Sequence, residues 1–160
     1  MAVGDILTYP QFRLGQFLNT TNIGDRNLTD GNVKLAVMKN TWTPSTNYTT
    51  DDFLSDMPLA TYEVDTNTGY TGPITLANPS AVLNASDLPE FRADDITIPL
   101  DAAGFTDGRW WIVFYDDASV EATSPVICYG DFGADKSIQT SSLQIDFSNT
   151  GDAVNTLMRW

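Results

Sequence analysis

The chain has no histidine and only one cysteine, Cys128. Without histidine there is no Ser-His or Cys-His nucleophile pair, and the commonest general base and zinc ligand are missing. A lone cysteine excludes an intrachain disulfide and a thiolate metal cage within one chain. Cys128 lies in the apolar run Val126-Ile127-Cys128-Tyr129, which reads as a small core hydrophobe and not a nucleophile. Positive charge is scarce too: 8 Lys and Arg stand against 21 Asp and Glu, a net charge of −13. Phosphate backbones and anionic membrane surfaces both call for basic patches, so neither nucleic acid nor a membrane is expected as a partner. No apolar run is long enough to cross a bilayer. Met1 to Asp5 carries no basic n-region leading into an apolar stretch, so no secretory signal is expected. No GxxxxGK(S/T) loop, GxGxxG after a strand or GxSxG elbow occurs, and no cofactor is expected.

What remains is a chain of 160 residues, 42% hydrophobic and 18% charged. That suits one domain with a real core. Thr, Ser, Asn and Gly fill the gap left by charge, and the acids are nearly all Asp, a turn and cap residue, with few helix-forming Glu. Both features favour strands joined by turns. Four Asn-X-Ser/Thr sequons, at Asn19, Asn27, Asn47 and Asn84, are what an Asn- and Thr-rich chain contains by chance.

The first residues differ from the rest. From Pro10 to Leu18, apolar side chains at Phe12, Leu14, Phe17 and Leu18 have roughly helical spacing, and a short amphipathic helix is predicted. A polar loop follows, ending at the turn signal Asp30-Gly31. Strands are predicted over Val33–Lys39, Ala60–Val64, Ile74–Ala77, Ala81–Leu83, Asp94–Leu100 (with Ile96, Ile98 and Leu100 on one face), Arg109–Tyr115, Ser124–Phe132, Leu143–Phe147 and Ala153–Trp160. A helical turn or two is predicted over Thr50–Met57, stopped by Pro58. Turns are predicted at Gly104–Gly108 and Gly133–Thr140. Arg109–Tyr115 is apolar at nearly every position, so both of its faces should be covered. The fold expected is mainly β: a single antiparallel sandwich-like or barrel-like domain over residues 33–160, with one or two short helices and an N-terminal arm over 1–32.

Carboxylates are the one catalytic resource left. The pairs Asp51-Asp52, Asp94-Asp95 and Asp116-Asp117 could supply an acid and a base for a hydrolase. Adjacent strand residues point to opposite faces, however, and solvated turns and caps are the simpler reading. Asp131 and Asp135 could converge on a cation across a tight turn, but no full oxygen-ligand loop is present; no metal is expected.

Trp110 and Trp111 should face opposite sides of one strand, so one of them is left for a second layer or a partner. With Trp42 and Trp160 they read mainly as packing or subunit contacts.

Taken in order, several segments resemble a family of small structural proteins of tailed bacteriophages. These are Val33–Lys39, Trp42-Thr43-Pro44, Asp51–Asp56, Thr68–Thr71, Thr75–Asn78, Ala93–Thr97, Trp111–Asp117 and Ser124–Ser137. The resemblance spans about Val33 to Leu157. The chain departs from the pattern in its longer arm, its Asp87–Phe91 stretch and its Trp160 end. The resemblance implies a virion component: a capsid cement or decoration protein that binds the major capsid protein on the outer shell after assembly in the bacterial cytoplasm. By analogy it implies a homo-oligomer, preferentially a trimer. The alternative is a tail- or fibre-associated module that stacks sugar on Trp42, Trp110 or Trp111. Candidate contact residues are Ile6, Leu7, Tyr9, Phe12 and Phe17 in the arm, with Trp42, Trp110 and Trp160. The arm either meets a partner or caps the domain's own sheet.

Overall fold

The computed structural model describes residues 6–8, 26–44, 53–83, 89–147 and 156–159. They form a mainly β, antiparallel, sandwich-like single domain. The largest sheet has five strands in the order β1-β8-β7-β2-β3: β1 (Ile6–Thr8), β8 (Val126–Lys136), β7 (Gly108–Tyr115), β2 (Val33–Lys39) and β3 (Ile74–Thr75). A three-stranded sheet has the order β10-β5-β4, from β10 (Thr156–Arg159), β5 (Pro89–Arg92) and β4 (Ser80–Leu83). A ribbon pairs β6 (Ile96–Ile98) with β9 (Leu143–Ile145). Every pairing is antiparallel.

The centre of the large sheet is buried on both faces, as the unbroken apolar runs predict. On one side β7 presents Val113 and Trp111, flanked by Leu35 and Val37 of β2. On the other it presents Ile112 and Phe114, flanked by Ala36 of β2 and Tyr129 of β8. All are buried. Such strands are rich in β-branched and aromatic residues because both pleated surfaces need filling. The outer edge of β2 is closed by β3, by an isolated bridge between Met38 and Glu63, and by a hydrogen bond from the Val64 N–H to the Val37 carbonyl.

Several expectations change. Residues 60–64 do not form a strand: Leu59–Tyr62 is a short helix, α1. The Pro58 carbonyl accepts hydrogen bonds from the Thr61 and Tyr62 N–H groups, and the Glu121 carboxylate caps the Leu59 N–H. Pro58 therefore starts a helix as well as ending the 3-10 turn Leu54–Asp56 before it. β8 runs through the expected turn at Gly133 to Lys136. Gly133 adopts φ 78° inside the strand, and its N–H is held by the Asp131 carboxylate. The strand thus bends where a turn was expected and does not stop. Leu100 does not join Ile96 and Ile98 in the core; the strand ends at Ile98 and Leu100 is 54% exposed. The Asp87–Phe91 departure contributes β5, which pairs with both β4 and β10, and Phe91 is a core residue. The arm is not wholly outside the domain: Ile6, Leu7 and Thr8 pair with Gly130, Tyr129 and Cys128. The helix predicted from Pro10 to Leu18 lies outside the described residues.

After β7 the chain reverses through Ala118 (φ 52°) and Ser119 (φ 64°), two non-glycine residues in the left-handed region. The turn is pinned by hydrogen bonds from Ser119 N–H to the Asp116 carboxylate and from Asp117 N–H to the Ser124 hydroxyl. A left-handed alanine costs about 1–2 kcal/mol. Ala118→Gly removes that strain at the cost of greater unfolded-state entropy. Net stabilisation of about 0.5 kcal/mol is expected, read as a higher urea midpoint at unchanged m-value.

Candidate interaction surfaces

The expected contact residues separate in space. Trp42 is 5% exposed. It follows β2 in a turn closed by its N–H to the Lys39 carbonyl, and packs edge-on to Trp110 and Tyr129 at centroid distances of 6.1 and 6.2 Å. It is a core side chain. Trp111 is buried against Phe147 at 5.9 Å on the opposite face of β7. Trp110 is half-buried, with the Arg109 guanidinium 5.5 Å above its ring. Ile6 and Leu7 lie in β1, an outer strand of the large sheet. Tyr9, Phe12, Phe17 and Trp160 lie outside the described residues.

In the two described pairs, Asp94-Asp95 and Asp116-Asp117, each carboxylate is engaged by a different partner. Asp116 takes the Lys34 ammonium, and Asp117 takes Arg26 at 2.6 and 3.3 Å. Asp94 accepts from the Asn78 amide at 2.7 Å, while its neighbour Asp95 accepts from the Phe147 N–H at 3.0 Å. Asp51-Asp52 lies outside the described residues. Asp131 pairs with Arg109 at 2.9 Å, and Asp135 accepts from Asn40 at 2.7 Å. Both sit along β8 and not across a tight turn. Among the described residues no group of three or more His, Cys, Asp or Glu is placed to hold a metal ion.

The acids are used as scaffolding for loops. Hydrogen bonds from the Ala103 N–H, the Thr68 hydroxyl and the Gly69 N–H hold the Asp101 carboxyl below its ordinary pKa and tie two loops together. Burial pulls the Asp30 carboxyl upward, but hydrogen bonds led by the Tyr115 hydroxyl at 2.7 Å outweigh it and hold the group below its usual value. Arg26 covers the Tyr115 ring at 5.2 Å. Arg26, Asp30, Asn32, Tyr115 and Asp117 thus fasten the stretch before β2 to the end of β7. Burial pushes the Cys128 thiol up, as expected of an inert core cysteine.

Two buried polar groups were not foreseen. Glu90 is 1% exposed and takes Arg92 at 2.8 Å. The alternation Pro89-Glu90-Phe91-Arg92 gave no sign that a charged residue would face inward. Tyr70 is fully buried; its hydroxyl donates to Glu63 at 2.6 Å and accepts from the Val37 N–H at 3.1 Å. It thereby satisfies an edge N–H of β2. Burial raises the Glu63 pKa, the Tyr70 hydrogen bond lowers it, and Glu121 raises it again, for a net upward shift. The folded chain therefore holds the Glu63 proton more tightly than the unfolded chain does. Stability from this group is present at low pH and falls as pH rises from the unfolded through the folded pKa. Glu63→Gln keeps the acceptor for Tyr70 and removes the titration. The stability of the variant relative to the parent is expected to rise as pH increases above the ordinary carboxylate pKa of about 4.3, measured by urea unfolding from acid to neutral pH. A difference independent of pH would refute this.

No family model, curated protein or solved structure matches this chain.

Proposed function

We propose that this chain is a structural component of a tailed-phage virion, and within that class a cement or decoration protein that binds the assembled major capsid shell. The observation that carries the reading is the ordered set of segments resembling small phage structural proteins. Three of the longest, Val33–Lys39, Trp111–Asp117 and Ser124–Ser137, correspond to β2, β7 and β8, which are adjacent strands of one sheet. The three longest segments thus lie in the central sheet, and the shorter ones fall mostly in connecting segments.

The physical character of the chain supports a role exercised through surfaces. Asp94, Asp95, Asp116, Asp117 and Asp131 are spent on ion pairs and loop closure. Its high negative charge opposes aggregation before docking. A protein that binds only the native, assembled shell stabilises it by mass action. A sugar-binding role on a tail or fibre is the second reading. Its best-placed residue is Trp110, half-buried beside Arg109, since Trp42 and Trp111 are buried.

Gold-coupled antibody against the chain, applied to intact particles of the phage that encodes it, tests both readings. Regular labelling of the head is expected. Labelling confined to the tail or fibres replaces cement with the second reading. Unlabelled particles that also lack the chain by mass spectrometry overturn both.

A further inference from the structure

The charged residues of this chain are unevenly spread. Between Asp65 and Asp87 there are none, and residues 66–86 form the longest uncharged stretch of the sequence. That stretch contains β4, an outer strand of the three-stranded sheet, whose other side pairs with β5. Among the described residues no strand pairs with the free side of β4.

An open strand edge is a row of backbone donors and acceptors ready to pair. Natural proteins usually guard such edges with charge, an inserted proline, a bulge or a covering segment. Ser80-Ala81-Val82-Leu83 has no charge and no proline, and its pairing with β5 runs without a register break. Among the described residues its shortness is its only evident protection. Leu83 is 66% exposed, the most exposed large apolar side chain among those described.

We propose that β4 is a self-association edge, where a second copy of this chain adds antiparallel about a twofold axis. Electrostatics selects this occupant. Two copies, each carrying −13, repel wherever acidic faces meet, and an uncharged seam is where they approach at least cost. A cationic partner would gain more on the acidic faces than on this edge. Pairing centred on Val82 sets Ala81 opposite Leu83 of the second copy, two residues that share one face of β4. It joins two three-stranded sheets into one of six strands, and Leu83 gains apolar neighbours across the seam. Like-to-like antiparallel pairing closes at two copies. It therefore yields a dimer, where the phage resemblance implied a trimer. The inference does not depend on where the protein acts.

The test is sedimentation velocity of the full chain over a concentration series, at low and at high NaCl. A reversible dimer is expected. It should tighten about fivefold or more as salt screens the repulsion between the copies. Leu83→Asp should weaken it at least about tenfold. Leu100→Asp and Val120→Asp alter exposed apolar residues outside the stretch and should leave association unchanged. Circular dichroism and melting temperature check that each variant is folded. If Leu83→Asp fails to fold, Leu83→Ser and the salt dependence of the parent carry the test. A monomer at every concentration and salt, a trimer, a dimer that weakens with salt, or a dimer indifferent to both Leu83 substitutions would each overturn the proposal.

Discussion

Trp42→Ala is expected to lower stability by about 4 kcal/mol, within the range for removing a large aromatic from a core. The indole is 5% exposed and meets Trp110 and Tyr129 edge-on. Both neighbours are set on adjacent strands of the large sheet, so neither can collapse far into the vacated space. The loss should appear as a lower urea midpoint at unchanged m-value, and as a fall in melting temperature of about 12 °C for a chain of this size. A loss below about 1 kcal/mol would mean that the indole is not a core element. The result also bears on how sugar binding should be probed. Loss of a glycan signal in Trp42→Ala would report a damaged core. Trp110, half-buried and covered by Arg109, is the informative position, because its truncation removes accessible ring at a smaller structural cost.

The parts of the fold legible in the sequence are those where one physical rule acts alone. Arg109–Tyr115 is apolar on nearly every position of both pleated faces, so it had to lie at the centre of a sheet, and Val33, Leu35 and Val37 share the buried face that their alternation marks. Leu143 and Ile145 alternate with a polar residue and are buried on one face. The inert cysteine followed from its apolar run, and the opposite placement of Trp110 and Trp111 from strand alternation.

The rest depended on tertiary partners. Ala60–Val64 has strand-like residues, but capping by Glu121, about sixty positions away, makes its beginning a helix. β5 carries Glu90 inward because Arg92, on the same strand, neutralises it. A hydrophobic period cannot register a charge buried with its own counter-ion. β8 passes Gly133 because the Asp131 side chain takes over the N–H that a turn would have used. The surfaces were less legible still. Aromatic content singled out Trp42, which the fold uses internally. The uncharged edge at Ser80–Leu83 is marked by the charge missing from its neighbourhood, a signal that a search for reactive or aromatic residues passes over.

Gly130→Ala is expected to cost about 3 kcal/mol through overpacking. Gly130 lies in β8 directly opposite Trp111 of β7. Its φ is not in the positive range that would require glycine, so it is there for space. A Cβ at this position would fall 2.3 Å from Cζ2 of Trp111, 2.4 Å from Cε2 and 2.6 Å from Nε1. The indole therefore lies directly on the glycine backbone. It cannot lift away, because Phe147 packs against it at 5.9 Å and the residue is 6% exposed. Nor can the backbone easily retreat, since Ile6 of β1 pairs with Gly130 from the other side. The added methyl must displace the ring, open the β7–β8 ladder or release β1. A smaller ring opposite should separate these outcomes. If the clash is with the indole, Trp111→Phe combined with Gly130→Ala will be more stable than the sum of the single losses by about 1 kcal/mol or more, a coupling read from a double-mutant cycle in urea. Additive losses would place the damage in the backbone pairing with β1 and not in the contact between Gly130 and Trp111.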